Sequence, residues 1–175
     1  MTSKEKKTVD VLIEIPKGSR NKYEYDFDLG KIRFDRMLFS SMMYPGDYGF
    51  IPETLALDND PLDVLVLSAE PTFPMCVMEV KPIGVFHMSD EKGPDEKIIC
   101  VPVSDPIWNK YNDLSDLNPH LQDEITHFFK VYKDLEKKEV IIGAWGNADE
   151  AYEILDTCIK RYEDSDHKAK GDFKI

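Results

Sequence analysis

Leu57-Asp58-Asn59-Asp60-Pro61-Leu62-Asp63-Val64-Leu65-Val66 places three aspartates within six residues and runs directly into an apolar segment. A loop of this kind delivers carboxylates to the edge of a sheet. Two carboxylates held about 5 Å apart at an effective dielectric near 20 repel by roughly 3 kcal/mol, so protons, cations or a broad loop must relieve the cluster. Hard divalent cations with oxygen ligands are its natural partners. A solvated acidic turn capping a strand would also suit these residues, because Asp fills turns readily, and the spacing alone does not choose between the two. An EF-hand does not fit: counted from Asp58, its loop would need Gly where Asp63 stands and Glu where Ala69 stands.

The surrounding charge sharpens the question. Between positions 37 and 80 there is no Lys or Arg, yet Asp47, Glu53, Asp58, Asp60, Asp63, Glu70 and Glu79 fall there, in a chain of net charge -12. Something outside that stretch must balance it. The same net charge repels nucleic acid and anionic membrane surfaces, and no basic patch is visible that would overcome it. No apolar run approaches the ~18 residues needed to cross a bilayer, and the N-terminus leads into an alternating segment, so a cytoplasmic address is expected. Cys76, Cys100 and Cys158 are odd in number and lack C-x-x-C spacing, which suggests reduced, structural thiols.

On either side of the acidic loop the period is two. Val9, Val11, Ile13 and Ile15 alternate with Asp10, Leu12 and Glu14 until Pro16 and Gly18 stop the strand. Tyr23, Tyr25 and Phe27 then oppose Lys22, Glu24, Asp26 and Asp28 ahead of a turn at Gly30, and Ile32 and Phe34 begin a third strand. Arg36 shares their parity and would point inward if that strand continued. Further β-rich segments are expected at 48–51, 64–67, 77–88 and 97–103. Beyond them the period turns helical, with Leu121, Ile125, Phe128, Phe129 and Tyr132 on one stripe, Asn118 as cap and Pro119 in the first turn. A strand at 140–145 precedes a second helix with the stripe Ala151, Leu155, Cys158, Ile159 and Tyr162, and Asn147 with Glu150 resembles its capping box. At 175 residues, 42% hydrophobic and 11% aromatic, the chain is expected to be one globular domain, 1–175, with a polar, loosely held tail from 164 to 175.

A second acidic group, Asp90, Glu91, Asp95 and Glu96, flanks a Gly-Pro turn at 88–97 that on its own reads as a surface hairpin. Single basic and phenolic groups sit at element ends: Lys22, Arg36, Tyr44, Tyr48, Tyr132 and Lys133. There is no P-loop, no H-E-x-x-H and no G-x-S-x-G elbow, and His87, His120, His127 and His167 show no ligand spacing.

Asn59-Asp60-Pro61-Leu62-Asp63-Val64 matches the signature of the soluble inorganic pyrophosphatases of family I, and the chain resembles the shorter, bacterial-type members over almost its whole length. Supporting blocks are Ile13-Glu14-Ile15-Pro16, Lys22-Tyr23-Glu24, Asp35-Arg36, the run from Tyr44 through Asp47 to Pro52, Asp90-Glu91 with Asp95 and Lys97, and Tyr132-Lys133-Asp134-Leu135-Glu136. Every matched functional position carries the family's residue type; Asn59 is a variable spacer. The resemblance implies an α+β fold, a five-stranded, OB-like closed β-barrel with two main helices packed outside.

It further implies that Asp58, Asp63 and Asp95 bind one magnesium ion, that Asp63 also reaches a second, and that Asp90 and Asp95 serve a third. Glu14 and Glu24 would support metals largely through water. Lys22, Arg36, Lys97, Tyr132 and Lys133 would hold pyrophosphate, with Tyr48 near the reacting phosphate, Tyr44 shaping the site and Asp60 partnering the attacking water. Carboxylate and water ligands would also accept manganese, zinc or cobalt. The implied reaction is direct in-line transfer to a metal-activated water, in an enzyme that commonly assembles as a homohexamer. The alternative is a non-catalytic OB-like module binding divalent cations or polyphosphate, but it would be favoured only by loss of Asp60 or of the substrate cations, and all are present. A nucleic-acid-binding OB module is opposed by the net charge.

Overall fold

The computed structural model describes residues 7–166. Nine strands and two helices follow one another as β1 (Val9–Ile15), β2 (Asn21–Asp26), β3 (Lys31–Met37), β4 (Asp47–Ile51), β5 (Leu62–Val66), β6 (Val77–Asp90), β7 (Gly93–Pro94), β8 (Lys97–Pro102), α1 (Pro119–Val131), β9 (Ile141–Gly146) and α2 (Ala148–Asp164). The strands expected at 64–67, 77–88 and 97–103 are thus present with ends shifted by a residue or two. Of the tail expected over 164–175, everything from residue 167 lies outside the described residues.

Strand pairing runs β1-β4-β5-β8-β6 and then returns from β6 to β1, a ring of five strands within a mixed sheet that also carries β7 and β9 on β6. Only the β5–β8 pair in that ring is parallel. The 14-residue β6 serves β1 with its first residues and β7 and β9 with its last. A register shift between Pro82 and Gly84 interrupts its ladder with β8, and a bulge of this kind bends a strand and increases its twist.

Alternation assigns the ring's side chains to two cores. Leu62, Val64 and Val66 of β5 and Ile98 and Cys100 of β8 join Ala151, Leu155 and Cys158 of α2. Leu65, Ile99 and Val101 face the other way and meet Ile125, Phe128 and Phe129 of α1. With both faces covered, β8 is buried along its whole length and β5 reads as an apolar run. All three cysteines are free, two of them buried.

Both helix starts follow from their caps. Asn118 Oδ1 accepts the His120 amide at 3.0 Å with Pro119 at the first helical position. Asn147 Oδ1 accepts the Glu150 amide at 3.0 Å, but only half of the expected capping box is seen, because the Glu150 carboxylate lies 2.8 Å from His87 Nε2.

The expectation that Arg36 shares a face with Ile32 and Phe34 fails. β2 and β3 form a separate two-stranded sheet on which Phe34 is 57% exposed. Pairing steps from Lys22↔Arg36 to Tyr23↔Phe34, so Asp35 is an extra residue and the parity of Arg36 is broken.

Gly49 shows how tightly β1 and β4 are apposed: a Cβ there would stand 1.9 Å from the Leu12 carbonyl oxygen. Gly49→Ala forces the two backbones apart, so it is expected to destabilise the chain by about 3 kcal/mol, at the upper end of overpacking costs, as read by denaturant unfolding.

Candidate active site

A further register shift, between Ile13 and Ile15 of β1, leaves Glu14 as the extra residue and turns it toward the hairpin, where its Oε1 accepts the Tyr25 amide at 2.7 Å. Period-two alternation alone would have kept Glu14 with Leu12. The bulge instead places it in the wall of a cleft of about 670 Å³ between the ring, the β2–β3 hairpin and the end of α1.

Thirteen of the fourteen residues expected at the site line this cleft. The hairpin contributes Lys22, Glu24 and Arg36, and β4 contributes Tyr48. The loop before β5 brings Asp58 and Asp60, with Asp63 at the start of the strand. The end of β6 and the following turn supply Asp90 and Asp95, β8 begins with Lys97, and Tyr132 and Lys133 follow α1. Tyr44 is the exception: it is 3% exposed and packs against Tyr48 and Phe128 at ring distances of 5.4 and 4.9 Å, supporting the wall from behind.

Lys97 is the centre of the arrangement. Its Nζ donates to Asp63 Oδ2 at 2.6 Å and to Asp95 Oδ1 at 2.5 Å, and it lies 5.4 Å from the centre of the Tyr48 ring. Burial opposes its charge, but the Asp63 and Asp95 carboxylates overcome that and hold the ammonium protonated. Asp95 is itself raised, because burial and the Asp63 charge outweigh its share of Lys97. Burial raises the Tyr48 phenol far above its ordinary value, so it keeps its proton and donates it to Asp63 Oδ2 at 2.7 Å.

Burial raises Asp58, and the Asp63 charge adds to this. Its Oδ1 accepts the Asp60 amide at 3.0 Å, which shapes the loop around Asn59, a residue at φ 66°. Burial pushes the Glu14 carboxyl up to about 8 against the stabilising Tyr25 amide. Asp90 is also desolvated, yet Lys133, 2.9 Å away, and the Lys92 amide bring it below the usual carboxylate range.

Eleven carboxylates and six cationic side chains line the cleft, so acid remains in excess when every cation is paired. Among the described residues no group of three Asp, Glu, His or Cys side chains stands ready to hold an ion; the Lys97 ammonium lies between Asp63 and Asp95 instead. The donors are oxygens throughout, the chemistry of a hard divalent cation. Sequence reasoning gave no role to two further acids, Asp35 and Glu136, although both lie in the quoted blocks. Asp35 Oδ2 accepts from Lys22 Nζ at 3.2 Å and Arg36 Nη1 at 2.5 Å, and Glu136 Oε2 accepts from Arg36 Nη2 at 3.1 Å.

A cleft lined by surplus carboxylate and by cations from several elements suits a phosphate polyanion. Comparison with known proteins narrows the class. The inorganic pyrophosphatase family profile matches residues 11–163. An inorganic pyrophosphatase of Methanosarcina acetivorans is 58% identical over 158 residues, covering 90% of this chain and 94% of that protein. One from Halalkalibacterium halodurans is 51% identical over 159 residues, covering 91% and 98%. The crystal structure of inorganic pyrophosphatase from Thermus thermophilus superposes with a TM-score of 0.88 at 46% identity, covering 93% of this chain and 95% of that one. The chain belongs to the inorganic pyrophosphatase family, and its reaction is hydrolysis of pyrophosphate to two orthophosphates.

Lys97→Met leaves Asp63 and Asp95 without their ammonium. Because Asp63 keeps 28% of its side-chain surface in water, the expected loss in chelated protein is about 2–3 kcal/mol, below the cost of breaking a fully buried pair. Denaturant unfolding checks this.

Proposed function

We propose that the chain hydrolyses pyrophosphate by direct in-line transfer to water, with magnesium held by the cleft's carboxylates and Asp60 as the proton acceptor. The observation that carries this reading is the carboxylate excess around Asp58, Asp63 and Asp95, in which burial and the Asp63 charge raise Asp58 and Asp95 and Lys97 neutralises only part. Asp58, Asp63 and Asp95 would hold one ion, Asp63 would also reach a second, and Asp90 and Asp95 would serve a third, with Glu14 and Glu24 supporting through water. Bound there, the ions would lower the pKa of water between them and offset phosphate charge. Manganese, zinc or cobalt would suit the same oxygen donors.

The chain's own groups do the rest. Asp60, at the turn of the loop, accepts the proton of the attacking water. Lys22, Arg36, Lys97, Tyr132 and Lys133 donate to the phosphate oxygens and stabilise charge on the transferring and leaving groups. Tyr48 stands near the reacting phosphate with its hydroxyl proton held by Asp63 Oδ2. No covalent intermediate is needed, since a positioned nucleophile and charge stabilisation suffice for in-line transfer.

The ring of five strands is read as an OB-like barrel and residues 1–175 as one domain. A cytoplasmic address is part of the proposal; among the described residues no helix is long and apolar enough to cross a membrane. So is a homohexamer, with α1 as the surface that it would use.

The first test is phosphate release from pyrophosphate with magnesium, with chelator, and with ATP as competing substrate. Fast release from pyrophosphate that chelator abolishes is expected; release unaffected by chelator would overturn the metal-dependent mechanism. Asp60→Asn preserves shape while removing the acceptor. It should lower kcat by about 10²–10⁴ with folding and magnesium binding kept, and near-normal turnover would remove Asp60 from its role.

A further inference from the structure

Arg36 is gripped from two sides. The β3 bulge swings Asp35 against its Nη1, at 2.5 Å, while Glu136, one hundred residues away in sequence, meets its other edge. Glu136 stands in a 3₁₀ turn, Asp134–Glu136, that follows Tyr132 and Lys133 directly, and its side chain is only 5% exposed. Oε2 accepts from Nη2 at 3.1 Å. Oε1 lies 2.9 Å from Nε, whose hydrogen is not aimed at it and is otherwise unpaired. One hydrogen on each Nη is left over for the cleft that Arg36 lines.

We propose that Glu136 is a positioning residue for pyrophosphate binding: it holds the Arg36 guanidinium so that its remaining N–H groups face the substrate. The inference rests on the reading of Arg36 as a pyrophosphate ligand. Its physical basis is the planar fork of arginine, which presents two donors to an oxyanion only when the plane is fixed. The outlying hairpin has no ladder to the ring, so Arg36 would otherwise move with it relative to Lys97 and Lys133. By gripping Arg36 from the corner that also carries Tyr132 and Lys133, Glu136 places substrate cations from two separate elements in one frame. Burial works against the Arg36 charge, yet the two carboxylates raise its pKa above the ordinary value, so the clamp also keeps the cation charged.

A double-mutant cycle on KM tests whether Glu136 acts through Arg36, and the thermal midpoint reads any loosening of the hairpin. KM and kcat for pyrophosphate at saturating magnesium are measured for E136Q, R36A and the double variant, with thermal midpoint and the magnesium midpoint of activity alongside. E136Q is expected to raise KM about tenfold and change kcat by less than about threefold. R36A should raise KM at least as much, and adding E136Q to R36A should raise it no further. If the two effects multiply in the double variant, Glu136 acts elsewhere and the inference is overturned. If R36A raises KM and E136Q does not, the inference falls while Arg36 stands as a ligand. If R36A leaves KM unchanged, both fall. Should E136Q fail to fold, E136D, which withdraws the carboxylate by one methylene, carries the same cycle.

Discussion

The ammonium of Lys97 between Asp63 and Asp95 sets the terms for the rest of the molecule. An unpaired charge at 2% exposure would be prohibitively costly, and two adjoining carboxylates without a cation would repel; together they are tolerable. The pairing follows from the one parallel ladder in the ring. β5 and β8 meet with Val64 opposite Ile98, so the residue before each, Asp63 and Lys97, falls side by side at the open end of the ladder. Behind that position the same two strands are apolar and covered on both faces. The register that closes the core is therefore the register that assembles the charged centre.

Two bulges extend this centre into a site. In β1 an extra residue frees Glu14 from the face that alternation assigns it, and its carboxylate takes the Tyr25 amide of the hairpin. In β3 an extra residue puts Asp35 between Lys22 and Arg36. Both bulges face the same cleft, and both connect the two-stranded sheet to the body by charge and hydrogen bonds in place of a shared ladder. A site assembled this way brings cations to a polyanion from three directions, the hairpin, β8 and the corner after α1, which suits a substrate carrying charge at both ends.

Much of this was legible beforehand. The acidic loop, the change from a period of two to a helical period after the early strands, the caps at Asn118 and Asn147, and the apolar stripes of both helices are local patterns and appear where expected. The resemblance named fourteen residues in short, scattered blocks, and thirteen of them line one cleft. The face that Arg36 takes, the loss of the reciprocal half of the capping box and any role for Asp35 and Glu136 were not legible. A one-residue register shift reverses every side-chain direction beyond it and leaves no mark in composition. The partner taken by Glu150, His87, is 63 residues away in sequence.

By itself, then, the sequence determined which residue types are available and in what local order: strands first, helices later, carboxylates in a loop ahead of an apolar strand, and no cation within 37–80 to balance them. Only the tertiary structure decided which cation balances which acid. Lys97 reaches Asp63 because two strands run parallel in a particular register, and Glu136 reaches Arg36 because α1 ends where the hairpin leans. Local preferences act over a turn or a pleat, whereas Coulomb and hydrogen-bond partners are chosen by distance in space, and that distance exists only once the ring has closed.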